Sequence, residues 1–551
     1  MPAPNRYKFI LLIAAISIAA MLPAYYYGVP SGNDQRQHYQ FAYTVYESLS
    51  SGVLYPHFAP DTNHGFGDYG IRFYPPLTYY LLSAGYYIVG DWSVASLIVF
   101  TLVLFFSGLG VFLWVREHFD ERHAVIAAFL AIVAPFHLNE LYNNGLYAEF
   151  VASAVVPFCF LFVTRLCRDA KWSDTVALAV AYALLILSNL PMTVIFSITL
   201  GVYSLLMLQR SSLVSSVVKL AVAVAMSVAM TSFSWSRWIT EMEWLAHTSQ
   251  TYLSTTWDAS RDFLLLPSHF LQFNEAGSDL WLADIMLIAS LLITVPTFIY
   301  LYRNSELKNK FIYASTLTLA VAVFLTTPLS LFIWQNFSLI QKVQFPWRWL
   351  AVVSLFAPTI ASIGIIRASD ALKLAQNNLA AIGLASLLVP FFFASVFLMR
   401  GAVYTSNAEL AEMVATVPES EGCDCWWPTW AKSGAFSQKT PLDIPDRNVV
   451  SFSASATGRR FAVDEGTAST AVIRAFYYPR WQAEINGKSA TVRPDEFGRM
   501  TIDVPSESAE VHLKFVEPGY VSTANVISLI AWITALLCLV AAFFKKEVIT
   551  K

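Results

Sequence analysis

Residues 94–115 read VASLIVFTLVLFFSGLGVFLWV, a stretch without a single charged side chain. About 20 such residues in a helix span the hydrocarbon core of a bilayer, because each residue advances a helix by about 1.5 Å. Similar stretches recur along the chain. The sequence therefore predicts a polytopic α-helical membrane protein.

The composition supports that class. Of the 551 residues, 56% are hydrophobic and only 13% are charged, and the mean hydropathy is +0.52. A water-soluble domain of this size needs more polar surface than such a chain supplies. The formal net charge of -3 gives no indication of nucleic-acid binding.

We predict about twelve spanning helices from apolar stretches of roughly 17 to 22 residues. They lie near residues 8–27, 94–115, 123–139, 148–166, 174–189, 191–209, 215–234, 281–302, 311–327, 348–366, 379–399 and 523–544. The first is read as a retained helix rather than a cleaved signal peptide, since it is long enough to span and lacks an A-x-A cleavage site.

The basic residues predict the orientation. Every loop that this count places in the cytoplasm carries Lys or Arg, as the positive-inside rule requires. Both termini are then cytoplasmic. Counting residues 73–90 as a further span would invert the later loops, so this Tyr-rich segment is placed in the outer interface.

The chain divides into three predicted parts. Residues 1–399 form the transmembrane module, and its outer loop 28–93 carries interfacial helices. Residues 400–522 form an extracytoplasmic domain, and 523–551 form the last helix and a cytoplasmic tail. Within the outer domain, residues 449–515 alternate apolar and polar side chains in short runs separated by turn signals such as Asn486-Gly487. This pattern predicts a small β-sandwich.

The five cysteines indicate neither a disulfide framework nor a zinc site. Cys423 and Cys425 form a C-x-C in the outer domain. A disulfide between them is one alternative, but two unpaired thiols are favoured because a disulfide between residues two apart closes a small, tight ring. The histidines show no metal-ligand spacing either, so we expect no cofactor and metal-independent chemistry, with a divalent ion at the acidic residues left open.

The first outer loop opens with SGNDQRQHYQ at residues 31–40. It places Asp34 directly after the first helix and His38 four residues later, on the same face if the segment is helical. Two interpretations stand side by side. Asp34 is either an ordinary helix cap or a reactive carboxylate at the membrane surface.

Several motifs together resemble a known family. They are GND-x-x-x-H at 32–38, LYPHF at 54–58, GFGDYGIRFYPPL at 65–77, YNNGLYAEF at 142–150, QFPWRWL at 344–350 and FYYPRWQAEINGK at 476–488. In this order they resemble the GT-C superfamily of polyprenyl-phosphate-sugar glycosyltransferases. They are most similar to the YfhO-like and 6-pyruvoyl-tetrahydropterin synthase-related bacterial membrane proteins.

The resemblance implies interfacial helices over a membrane cavity and sugar transfer from a polyprenyl-phosphate donor. It also implies a location in the inner membrane of a bacterial cell. It implies Asp34 as the catalytic base, assisted by a second carboxylate, for which Glu149 is preferred to Glu140. Arg348 would hold the donor phosphate, unless it only snorkels to the interface. The further candidates for substrate or lipid-phosphate binding are His38, Arg72, Tyr74, Arg237 and Glu241. Arg237 and Glu241 are spaced i,i+4 and can equally pair with each other, and Glu149 can equally serve the helix dipole.

Two other functions fit a protein with many membrane helices. One is a transporter or flippase of lipid-linked sugars, and the other is a non-catalytic assembly protein for surface glycans. The apparent lack of inverted repeats and of charges at helix centres favours the enzyme. Its expected partners are the lipid-linked donor, membrane lipid and an acceptor that is a glycan, a lipid or a protein. The sugar and the acceptor are not specified by the sequence.

Overall fold

The computed structural model describes residues 4–248, 262–271, 280–372, 382–383, 385–455 and 457–550. Within these ranges, nine helices are long and apolar enough to cross a membrane, or ten if the bent pair Lys310–Thr326 and Pro328–Asn336 is one span. Two shorter apolar helices, Trp172–Ser188 and Val389–Gly401, lie at two more predicted spans. A helix thus lies at each of the twelve predicted places, although the prediction for 379–399 begins outside the described residues. The number that cross the bilayer stays a prediction.

We number the helices in chain order. They are α1 Pro4–Tyr27, α2 Gln35–Ser50, α3 Thr62–Gly65, α4 Gly70–Phe73, α5 Leu77–Val89, α6 Trp92–Val115, α7 Glu121–Ile132, α8 Pro135–Tyr142, α9 Tyr147–Asp169, α10 Trp172–Ser188, α11 Leu190–Met207, α12 Leu213–Met230, α13 Ser232–Glu241, α14 Pro267–Leu271, α15 Leu280–Arg303, α16 Lys310–Thr326, α17 Leu331–Asn336, α18 Ser338–Gln341, α19 Leu350–Ala371, α20 Val389–Gly401, α21 Asn407–Ala415 and α22 Gly519–Thr550.

The bundle packs around α6, α9 and α19. Most of α19 is buried, whereas α22 presents most of its apolar side chains outward, as a helix at the edge of a bundle in lipid does. Gly108 and Gly110 of α6 let neighbouring side chains approach closely, because a Cβ at Gly108 would lie 2.5 Å from Ile132. The predicted interfacial segment is helix α5, which at 13 residues is shorter than a span.

The domain that is predicted to be extracytoplasmic, called the outer domain below, holds two antiparallel sheets. Its β-rich character is confirmed, and its side of the membrane stays a prediction. The strands are β1 Val29–Pro30, β2 Tyr404–Thr405, β3 Leu442–Asp443, β4 Val449–Ser455, β5 Gly458–Val463, β6 Ser469–Phe476, β7 Trp481–Ile485, β8 Lys488–Ala490, β9 Val492–Pro494, β10 Arg499–Val504 and β11 Ala509–Phe515. One sheet has the order β3-β6-β10-β9 and the other β4-β5-β11-β7-β8. Strands β1 and β2 pair separately and join the end of α1 to the start of the outer domain.

The outer domain packs on the first outer loop through aromatic side chains. Tyr69 stacks on Tyr478 at 4.2 Å, and its hydroxyl donates to the carbonyl of Phe476. Phe58 packs against Trp481 and Phe515. The loop 28–93, which the sequence motifs single out, therefore forms the surface against which the β-rich domain packs.

Candidate functional site

Asp34 occupies the N-cap position of α2, but its side chain does not cap the helix. Its carbonyl accepts the amide of His38 at 3.0 Å, while its carboxylate makes no capping hydrogen bond. Asp91, by contrast, caps α6 by accepting from the amide of Val94 at 2.8 Å. Asp34 as a residue keeps an exposed surface, while neighbouring protein crowds its carboxylate, which makes no capping bond and is free for another role.

The segment before Asp34 is held against the turn between α8 and α9. A Cβ on Gly32 would lie 2.3 Å from the carbonyl carbon of Asn144, so only glycine permits this backbone contact. Gly145 takes a positive φ of 62° at the same place. Tyr147 donates to the carbonyl of Pro30 at 2.6 Å. These contacts fix the loop of Asp34 to the helix that carries Glu149.

Glu149 lies in the first turn of α9 and is buried. Its Oε1 lies 2.9 Å from Nε of Arg348, while its Oε2 is buried without a hydrogen-bond partner in the described part of the chain. Glu140 is also buried, in α8, and both glutamates line a cavity of about 40 Å³. The pair of Glu149 and Arg348 gives the preferred second carboxylate a place beside the predicted phosphate-binding arginine.

Arg348 lies in the turn that leads into α19, and it is buried rather than extended to the surface. Its Nη1 donates to the carbonyl of Val343 at 2.8 Å and to Oε1 of Gln344 at 2.7 Å. The rings of Phe345 and Trp347 lie 5.1 and 5.6 Å from the guanidinium. Nε meets Glu149 as an ion pair without hydrogen-bond geometry, and Nη2 has no acceptor among the described residues, so the edge formed by Nε and Nη2 is open.

The charges of this recess act on one another. Burial raises the pKa of Asp34, and the opposing charge of Arg348 limits the rise. Burial also raises the pKa of Tyr74, and the negative charges of Asp34 and Glu149 add to that effect. Asp34, Glu149, Arg348 and Tyr74 therefore act on one another through their charges, and we call them the Asp34 recess.

Aromatic rings line the recess. His38 packs against Tyr147 at 5.2 Å and Tyr79 at 5.8 Å, and Trp426 of the outer domain lies 5.9 Å from Tyr74. Nδ1 of His38 bonds to the hydroxyl of Tyr79 at 3.0 Å. Burial lowers the pKa of His38 to about 3, so its ring is neutral at physiological pH. His38 therefore serves as a polar aromatic wall and not as a cation for phosphate.

Arg72, Arg237 and Glu241 lie in a different place, where α13 and the outer domain meet. Arg72 donates through Nε to Oε2 of Glu241 at 2.7 Å and through Nη1 to Oε1 of Glu517 at 2.5 Å. Nε of Arg480 lies 2.9 Å from Oε1 of Glu241. Arg237 contacts Glu517 at 3.3 Å rather than Glu241, so the expected i,i+4 pair does not form. We call this set the Arg72 cluster.

The sequence grouped these two clusters as one site, and the structure separates them. Arg72 is fully buried and its charge is matched by two carboxylates, which leaves it no free edge for a phosphate. Glu517, Tyr79 and Trp426 are contacts that sequence reasoning missed. Glu517 lies in VEPGY at 516–520, where no other charged residue or motif marks it. Its importance follows only from its contacts with residues that are distant in the sequence. Trp426 carried a signal, since it follows the C-x-C motif.

The prediction of two unpaired thiols is wrong. Cys423 and Cys425 form a disulfide, because their Cα atoms are 5.2 Å apart, a distance that the bond can join. The loop is fastened to α2, since the amide of Cys423 donates to Oε1 of Gln37 at 3.1 Å.

Over the ranges that the structure describes, no three His, Cys, Asp or Glu side chains form a metal-binding group.

Fold and site together define a multi-pass membrane protein with a β-rich domain. Its candidate site contains a carboxylate that does not cap its helix, a buried Glu-Arg pair and several aromatic rings. A family model narrows the class. The model described as the 6-pyruvoyl-tetrahydropterin synthase related domain, a membrane protein, matches residues 71–398. The chain belongs to this family, as its motifs predict. The match includes Glu149 and Arg348 but begins after Asp34.

Other proteins show more distant similarity. An uncharacterized protein of Lactococcus lactis is 29% identical over 165 residues, which are 29% of this chain and 26% of that protein. This chain thus matches about a quarter of the relative's length. The oligosaccharyltransferase of Archaeoglobus fulgidus is 17% identical, with a TM-score of 0.42, over 73% of this chain and 56% of that one. ArnT of Cupriavidus metallidurans is 14% identical, with a TM-score of 0.41, over 75% and 77%. Nothing about the reaction of this chain follows from likeness at this level.

Proposed function

We propose that this protein is a membrane glycosyltransferase that moves a sugar from a polyprenyl-phosphate donor to an acceptor on the extracytoplasmic face. The observation that carries the proposal is the carboxylate of Asp34. It stands at a helix start without capping the helix, in the same recess as a buried arginine with an open edge. A family that consists of membrane proteins is compatible with this function.

Transfer from a lipid phosphate needs two groups at one surface. A base must take the proton of the acceptor hydroxyl as the new bond forms, and a cation must stabilise the departing phosphate. Asp34 is the base, and its raised pKa makes its carboxylate a stronger proton acceptor than an ordinary Asp. Arg348 is the cation, since a guanidinium binds phosphate through a planar fork.

Glu149 positions Arg348 before the donor arrives. Its Oε1 contacts Nε of Arg348, while Nη1 is held by the carbonyl of Val343 and by Gln344. The open Nη2 edge is the part that meets the phosphate. Tyr74, His38 and Trp426 then provide ring faces for the sugar, because aromatic faces pack well on the C–H side of a pyranose.

Asp34→Asn tests the base directly. The amide keeps the shape of the side chain but cannot accept the proton, so sugar transfer in purified membranes should fall by a factor of about 10² or more. The matched control is Asp91→Asn, because Asp91 is a true cap and Asn caps a helix as well as Asp. Full transfer by Asp34→Asn would remove Asp34 from the mechanism.

The proposal also needs the recess to face the extracytoplasmic side. Glu412 and Asn304 are exposed, Glu412 in α21 beside the outer domain and Asn304 in a loop predicted to be cytoplasmic. A cysteine at position 412 should react with a membrane-impermeant thiol reagent in intact cells, and one at position 304 should react only after lysis. The reverse pattern would contradict the orientation.

A further inference from the structure

A second polar cavity lies at the other end of α2, between that helix and the outer domain. Its volume is about 210 Å³. The helix contributes Tyr43, Thr44 and Glu47, the first outer loop contributes Asp61, and the hairpin of β4 and β5 contributes Arg459. Carboxylate, hydroxyl, phenol and guanidinium groups thus face one space that two parts of the chain enclose.

Arg459 is the buried member of this set. Only 5% of the residue is exposed, and its Nη1 donates to the carbonyls of Ser455 and Gly458. Its guanidinium lies 5.6 Å from the ring of Trp481. In the described chain, no carboxylate pairs with Arg459 within 4 Å, and its Nε and Nη2 have no hydrogen-bond acceptor. Arg459 lines the cavity, so these nitrogens can donate to water or to a bound ligand.

The two carboxylates of the cavity, those of Glu47 and Asp61, belong to exposed residues. Asp61 stands at the N-cap of α3, but its side chain makes no capping hydrogen bond. Neither Glu47 nor Asp61 pairs with a cationic side chain within the residues that the structure describes. Both carboxylates and the phenol of Tyr43 line this cavity. Burial raises the pKa of Tyr43, and the charges of Glu47 and Asp61 raise it further. The cavity therefore offers acceptors and donors side by side.

We propose that this cavity is a binding site for a saccharide. A free anion is disfavoured by the two carboxylates, and a metal ion is disfavoured by the buried guanidinium beside them. A neutral ligand that is rich in hydroxyl groups can bind both the carboxylates and the guanidinium, because a hydroxyl can donate to a carboxylate or accept from an arginine. Tyr43 adds a ring face for the apolar side of a pyranose.

The position of the cavity indicates which saccharide it holds. Asp34 and Glu47 lie 13 residues apart along one helix, which places the cavity about 20 Å from the proposed base. That distance is several sugar units long. Resting on the proposed function, we assign the cavity to a glycan acceptor, whose reacting end lies at Asp34 while a distant unit is bound between α2 and the outer domain.

Binding is measured on the full-length protein in nanodiscs, by saturation-transfer NMR with glucose, galactose, mannose and N-acetylglucosamine as probes. At least one sugar should receive saturation from the protein. Glu47→Gln and Asp61→Asn should each weaken its binding about tenfold or more, because each removes a hydrogen bond to a charged group. Glu484→Gln is the control, since Glu484 is an exposed carboxylate of β7 outside the cavity. Arg459→Lys should also weaken binding, with folding checked by its melting temperature.

Three results would overturn the proposal. One is that none of the four sugars binds. The second is that a sugar binds equally well to the Glu47 and Asp61 variants. The third is that orthophosphate or Ca²⁺, tested by calorimetry, binds in a Glu47-dependent way while the sugars do not.

The failure of the proposed function is distinguishable. Asp34→Asn should keep sugar binding in the cavity and lose transfer. If it keeps both, the catalytic proposal fails and the saccharide site stands.

Discussion

The Arg72 cluster and the Asp34 recess are both built from arginine and carboxylates at the same end of the bundle, yet they differ in how their charges are matched. Arg72 meets two carboxylates, and Glu241 meets two arginines and the hydroxyl of Tyr478. In the recess, Asp34 caps nothing and Oε2 of Glu149 has no described hydrogen-bond partner. A fully matched cluster joins parts of a protein, whereas an incompletely matched one is available to a ligand.

Loss of Arg72 should have the largest effect. Arg72→Met leaves the buried carboxylate of Glu241 short of a partner, and breaking a buried pair in this way costs about 3–5 kcal/mol. We expect a much lower melting temperature and rapid cleavage of the outer domain by added protease. The control is Arg493→Met, because the pair of Arg493 and Asp503 is exposed and contributes roughly 0–1 kcal/mol. A stable Arg72→Met variant that lost only donor binding would show that the cluster is the site instead.

Arg348→Lys should reduce activity without unfolding the protein. Lysine keeps the positive charge but loses the fork, so the kcat/KM for the lipid-linked donor should fall roughly 10- to 100-fold. Arg367→Lys, a change at an exposed arginine outside the recess, should leave the kinetics unchanged. Unaltered donor dependence in Arg348→Lys would leave Arg348 a purely structural residue and weaken the contrast between the two clusters.

The smallest effect is on the pH dependence of stability, where the two regions should respond in opposite directions. Burial opposes ionisation of Glu241, but the hydrogen bonds and charge of Arg72 outweigh it and lower its pKa below 4.5. The stability that this pairing contributes is present above pH 4.5 and is lost as the pH falls through the lowered pKa.

Burial raises the pKa of Asp34 above 3.8, so stability falls as the pH rises from 3.8 through the raised pKa, and the full loss is present above it. Asp34→Asn should therefore melt at the same temperature as the parent chain or slightly higher at neutral pH. Transfer by the parent chain should fall as the pH drops through the same pKa, because the base becomes protonated. A marked loss of stability in Asp34→Asn would restore the capping interpretation.

Local patterns are enough to predict most of the fold. Apolar length gave the helices, and the alternation in VVSFSAS and VHLKF gave β4 and β11 at 449–455 and 509–515. The pairing of these strands could not be predicted from the sequence. Strand β11 lies between β5 and β7, and no short motif encodes which strands become neighbours.

The candidate site was predictable residue by residue but not as a set. Asp34, Glu149 and Arg348 each stand in a short motif, whereas Arg72 and Arg237 look equally suited to phosphate until Glu517 is known to reach them. Glu517 lies 445 residues beyond Arg72, and a contact of that separation leaves no periodicity in the sequence. Whether an arginine is free or already bound is a property of the folded chain.

The lateness of Glu517 in the chain has a consequence for biosynthesis. The ribosome makes Arg72 and Arg237 early, but the carboxylate that contacts both belongs to a residue that is made near the end of the chain. A chain that stops before residue 517 leaves Arg237 without a carboxylate partner among the described residues, and it also lacks α22. The contact that neutralises Arg237 can therefore form only after almost the whole chain has been made.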